Sequence, residues 1–177
     1  MRHYRVAGIC AVLLVFALGC GSPKSLPPQA EITNMAETVR ALLAERTEAL
    51  VDANTIGKTT IGETHAVSVA LLRVQDESLV KLAERRERLA ALGERYSKSE
   101  VRIHVDRAKA EGHEVRLRVS ETTTLTFAGL GPGGPGATSF KTPHDVVFTK
   151  DSSGKWVFIS QKSITGTGPA PLNDVSN

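Results

Sequence analysis

Four residues carry the chemistry most visible in this chain: Arg102, His104, Arg116 and Arg118. Three guanidinium groups and an imidazole on alternate positions gather positive charge on one surface, which suits an anionic ligand or an acidic partner. His65, His104, His113 and His144 are the histidines beyond the N-terminal segment. None stands at HExxH or another close ligand spacing, so no metal site is expected, and on wet strand faces such residues are expected to be solvated. Gly57-Lys58-Thr59 has the ending of a phosphate-binding loop, but Asp52 stands where the first glycine belongs. Gly129 to Gly134 formally reads GxGxxG, yet Pro135 and a further strand follow where a pyrophosphate needs a helix N-terminus. There is no GxSxG elbow. The chain is therefore expected to have no catalytic residue and no cofactor.

The candidate residues must be held by the stretch from Val101 to Phe127. Val101, Ile103, Val105, Val115, Leu117, Val119, Leu125 and Phe127 fall on every second position, with charged residues between them. Such alternation predicts two antiparallel strands with one face buried and one wet. Taking Ala110-Glu111-Gly112 as a three-residue loop puts glycine where a left-handed residue is needed. That register sets Val105 opposite Leu117, Ile103 opposite Val119, Asp106 opposite Arg116 and His104 opposite Arg118.

Helices are expected before this hairpin and more sheet after it. Asn34 followed by Glu37 is a capping arrangement for a first helix, in which Met35, Val39, Leu42, Leu43 and Leu50 recur at helical spacing. Thr55 to Thr64 reads as loop, and residues 64–76 fit either helix or strand. From Glu77, Leu79, Leu82, Arg86 and Leu89 follow a three–four spacing, so one long helix bent near Asp76 is expected. Gly129 to Pro143 reads as a loop, His144 to Lys150 as a third strand, and Lys155 to Ser163 as a fourth after the turn Asp151–Gly154. Apolar residues on both parities around Trp156 suggest that these last two strands are covered on both faces.

The first residues bear on compartment. Arg2 and Arg5 precede an apolar run from Val6 to Leu18, the layout of a secretory signal peptide. Ala17-Leu18-Gly19-Cys20 resembles the lipobox of bacterial lipoproteins, with Ala17 where leucine is more usual. The resemblance implies lipidation of Cys20 and anchoring on the extracytoplasmic side of the cell membrane. Loss of residues 1–19 would remove two arginines, lowering the formal net charge of +3 by two. No nucleic-acid footprint follows from the basic pI. Cys10 and Cys20 are the two cysteines, so the domain beyond them carries no thiol for a disulfide, a zinc–thiolate site or a nucleophile.

The expected organisation is a signal peptide over 1–19, lipidated Cys20 and a Pro/Ser/Gly-rich tether over 20–33, an α+β domain over 34–164 and a loose tail over 165–177. Two or three helices packed on one face of a four-stranded antiparallel meander resemble the cystatin-like or NTF2-like cone. The stretch from Arg85 to Tyr96, through Glu121 to Leu125, to His144 and Trp156, is similar to the region preceding the catalytic domain in secreted bacterial amidase-domain proteins. That resemblance implies an accessory module without the chemistry. The expected function is a lipid-anchored binding or interaction module of the bacterial envelope. Its partners would be the membrane and either an envelope protein or an anionic ligand. The alternatives are an NTF2-like enzyme with a pocket inside the cone, and an accessory subunit of an envelope hydrolase docking around Trp156.

Overall fold

The computed structural model describes residues 25–54, 59–128 and 136–164. Cys20, Gly57, Lys58, the GxGxxG-like segment from Gly129 to Gly134 and the tail from residue 165 lie outside them. Three helices, α1 (Gln29–Glu48), α2 (Ile61–Thr64) and α3 (Val69–Ala91), precede four strands. The strands are β1 (Tyr96–Glu111), β2 (Glu114–Phe127), β3 (Ala137–Lys150) and β4 (Trp156–Ser163). They form one open antiparallel meander in the order β1-β2-β3-β4. This is the expected α+β class, helices followed by a four-stranded meander.

The first helix starts earlier than Asn34 suggests. Its flank is Pro28, in extended conformation, where the missing N–H of a proline costs nothing. Ile32, Met35, Val39, Leu42, Leu43, Arg46 and Thr47 then fall on its buried stripe. The expected tether therefore gives up its last residues to α1. Ser68 caps α3 by accepting the Leu71 N–H at 3.2 Å. That cap resolves the ambiguity of residues 64–76: α3 runs unbroken past Asp76, whose carboxylate accepts the Thr59 N–H at 2.7 Å. Just ahead of the cap, Val67 joins the sheet through a single parallel bridge to Phe158.

The hairpin register differs from the expected one. Glu111 pairs with Glu114, so the loop is the two residues Gly112 and His113, with Gly112 at φ +61°. Glycine at the first position and no positive φ at the second is the pattern of a type II′ turn. Val105 faces Val119 and Ile103 faces Glu121, each two places from expectation. A second irregularity lies between Val105 and Arg107, where Asp106 forms a bulge. One extra residue reverses the parity of the rest of the strand. Ala108 therefore packs against the core and Ala110 is half-buried, while Arg107 and Lys109 turn to solvent.

The helices cover one face of the sheet, leaving two apolar clusters beneath them. One joins Val39, Leu42 and Leu43 of α1 to Leu71, Val115, Leu117, Val146 and Phe148. The other joins Leu50, Leu79 and Leu82 to Tyr96 and Leu125. Trp156 is on the helix side as well: its indole N–H donates to Glu31, and the Lys150 ammonium lies 4.8 Å from its ring centre. The start of α1, the hairpin turn and the start of β4 thus share one end of the domain. The end of α1 is at the other, where Glu48 accepts a hydrogen bond from Ser99.

Candidate functional site

The outer sheet face, turned away from the helices, holds all four expected site residues in exposed positions. It divides them into two pairs. Arg102 binds Glu100 of its own strand at 2.7 Å and pairs across the ladder with Thr122. His104 faces Ser120, not Arg118. Arg116 and Arg118 instead line a shallow concavity of about 480 Å³ together with Arg107 and Lys109. The ladder sets Arg107 directly opposite Arg118 and Lys109 directly opposite Arg116. Arg107 and Lys109 join the site because the Asp106 bulge reverses their side. The sequence signal is the break in alternation at Asp106-Arg107, where two polar residues stand in succession.

Carboxylates surround these cations. Arg118 binds Asp145 at 2.7 Å across the β2–β3 ladder. Arg116 binds Glu111 and Glu114 at 2.7 and 2.9 Å, and Lys109 binds Glu111 at 2.7 Å. The expected Asp106–Arg116 pair does not form; Asp106 accepts the Ser120 hydroxyl at 2.7 Å. The hydrogen bond and charge of Lys109, reinforced by Arg116, hold the Glu111 carboxyl below its ordinary value. All these pairs are at least partly exposed, so they are weak and salt-sensitive.

A second polar constellation lies inside and was missed by sequence reasoning. Between the two apolar clusters runs a belt of buried polar residues, with Arg46 and Thr47 from α1, Gln75 and Ser78 from α3, and Glu121, Thr123 and His144 from the sheet. His144, expected to be solvated, is 2% exposed, and Glu121 is 1% exposed. Glu121 Oε2 lies 2.7 Å from His144 Nε2, and its other oxygen accepts the Thr123 hydroxyl. Gln161 Nε2 and Ser163 Oγ lie 2.8 and 3.2 Å from His144 Nδ1. An amide nitrogen can only donate, so in this arrangement Nδ1 is the acceptor and Nε2–H the donor to the carboxylate. The network ties β2, β3 and β4 together. On α3, Gln75 accepts from Arg46 Nε at 2.7 Å and donates to the Leu42 carbonyl at 3.1 Å.

Serine, histidine and glutamate in sequence are the groups of a nucleophilic triad. Here the Gln161 amide lies closer to the imidazole lone pair than the hydroxyl does, and Ser163 is only 8% exposed. A further hollow of about 350 Å³ lies at the far end of the domain, between Leu50, Arg86, Leu89 and Tyr96. Neither it nor the outer concavity is lined by Glu121, His144 or Ser163. Thr59, from the phosphate-loop-like triplet, gives its hydroxyl to Glu45 at 2.5 Å. Among the described residues no group of three or more His, Cys, Asp or Glu side chains is placed to hold a metal ion. No helix among them is long and apolar enough to cross a membrane.

The fold and this face define a small α+β domain with one sealed and one open sheet surface. No protein-family model and no curated protein matches the chain. Among solved structures it is similar to the crystal structure of the intermembrane space region of chloroplast protein ARC6. The two share 13% identity and a TM-score of 0.46, over 81% of this chain and 100% of that one.

Proposed function

We propose that this chain is a lipid-anchored, extracytoplasmic binding module of the bacterial cell envelope, with the bare sheet face as its recognition surface. The observation that carries the reading is the division of polar groups between the two faces. The acid–base side chains inside are sealed against one another, whereas four exposed cations, three of them in solvent-exposed ion pairs, are gathered at one concavity outside. The anchor supplies orientation. Cys20 precedes the first residue of α1 by nine positions, a reach of about 30 Å at full extension. Since α1 begins beside the hairpin turn, that end of the domain is held close to the membrane, and the cation-lined concavity with it. The cystatin/NTF2-like likeness belongs to this proposal.

The test is Cys20→Ser expressed in cells, with membranes and soluble fractions separated. Release of the variant supports the anchor, and unchanged membrane fractionation refutes it. A second reading, an enzyme working in the interior, draws on the Ser163–His144–Glu121 arrangement. It requires the helices to open over the belt. Labelling of Ser163 by a fluorophosphonate, lost in Ser163→Ala, would replace the binding reading with it.

A further inference from the structure

We infer that Arg107, Lys109, Arg116 and Arg118 form a binding site for a phosphate-type oxyanion. The inference rests on the binding reading of the outer face and names the chemistry of its ligand. Two consecutive cross-strand pairs on one face, Arg107–Arg118 and Lys109–Arg116, oppose like charges. Such pairs weaken a sheet, so packing does not account for them. Strand geometry sets their Cα atoms at the corners of a rectangle of about 5 by 7 Å. The concavity of about 480 Å³ between the side chains has room for a phosphate or pyrophosphate with its water.

The neighbouring carboxylates show what the site recognises. Asp145 engages Arg118 through Nε at 2.7 Å and approaches Nη2 at 3.5 Å, while Glu111 and Glu114 hold Arg116. These half-exposed oxygens occupy positions that a ligand's oxygens could take over, and guanidinium forks match carboxylate and phosphate alike. A monocarboxylate would only replace one resident carboxylate by its equal. A phosphate group brings more charge and enough oxygens to bridge both strands, so it gains on the exchange. Arg107 has no ion-pair partner among the described residues and can turn to such a ligand without breaking one. The phosphate could be free in solution or carried by a lipid headgroup, since the block lies within a few residues of the turn at the anchor end.

The chain from residue 20 onward, carrying Cys20→Ser, lacks both the apolar run Val6–Leu18 and the lipidation site, which removes the anchor from the readout. It is titrated calorimetrically with inorganic pyrophosphate at low salt, then sedimented with phosphatidylglycerol or phosphatidylcholine vesicles. Binding of pyrophosphate that weakens with added salt supports the site, with Arg107→Ala and Arg118→Ala each reducing affinity about tenfold. Arg40→Ala, on the exposed side of α1 and outside this face, should leave affinity unchanged. Sedimentation with phosphatidylglycerol alone, lost in Arg107→Ala, assigns the phosphate to a headgroup; pyrophosphate binding without sedimentation assigns it to a free ligand. Because like charges are relieved, Arg107→Ala should not lower the urea midpoint, which separates lost binding from lost fold. No binding of either probe, or binding that Arg107→Ala and Arg118→Ala leave intact, overturns the site. Membrane release by Cys20→Ser would still stand in that case, so the two proposals fail separately.

Discussion

Glu121 joins two donors of the buried belt, and Glu121→Leu tests how far the interior depends on it. Its carboxylate accepts from His144 Nε2 at 2.7 Å and from the Thr123 hydroxyl, and all three side chains are buried. Leucine removes both acceptors while roughly keeping the volume, so the cost comes from donors that lose this carboxylate and not from a cavity. Each buried donor left without a partner costs about 1–3 kcal/mol. With two donors affected, a loss of about 2–5 kcal/mol is expected, a large share of the stability of a domain this size. Urea unfolding followed by circular dichroism reads it as a fall in midpoint at constant slope.

The companion is the double substitution Glu121→Leu with His144→Leu. Replacing both partners of a buried pair by apolar groups is often nearly neutral. Here the Thr123 hydroxyl still loses its carboxylate acceptor and the Gln161 amide its imidazole acceptor, so the double variant should recover only part of the loss. The expected coupling is about 2 kcal/mol in favour of the double variant. If Glu121→Leu costs less than about 1 kcal/mol, the belt is not a stabilising network. Strict additivity of the two single changes would sink the idea that they act as a unit.

Two further outcomes concern side chains in the same interior. The Thr142 hydroxyl is buried without a hydrogen-bond partner among the described residues, so Thr142→Val should hold or raise stability by up to about 1–2 kcal/mol in urea. A clear loss would mean that the hydroxyl is engaged. Burial, followed by the charge of Glu94, pushes the Tyr96 phenol above its ordinary value of 10.0. Between its unfolded and folded values the native state holds the extra proton, so stability should fall as pH rises beyond about 10. Tyr96→Phe should remove that part of the alkaline slope in urea titrations across that range; an identical slope in both proteins counts against the burial cause.

Strand parity explains what could be read in advance and what could not. The alternation from Val115 to Leu125 put β2 in the right place, and the two-residue error in pairing left its core face unchanged because side chains repeat every two residues. The same parity placed Glu121 and Thr123 on the apolar side, in line with Val119 and Leu125. A carboxylate in an apolar register needs a buried partner. His144, 23 residues further on, shares the inward parity of Val146 and Phe148. No local spacing connects the two, because the register of β3 against β2 aligns them. The start of α1 was obscured differently: Asn34 and Glu37 imitate a cap, but Pro27-Pro28 lies ahead and Ile32 already fits the buried stripe.

The Asp106 bulge links these observations. Without it, strict alternation from Val101, Ile103 and Val105 would carry Arg107 and Lys109 inward, towards the helices. Two cations there would be desolvated against an apolar cluster of valines, leucines and Phe148. One inserted residue instead hands the inward parity to Ala108 and Ala110, and the small side chain of Ala108 packs against that cluster. It also moves both cations to the face where Arg116 and Arg118 already stand. Core packing alone would be served by any polar residues at positions 107 and 109. Lys109 has its partner in Glu111, but Arg107, directly opposite Arg118, has no ion-pair partner among the described residues, and an oxyanion ligand supplies one.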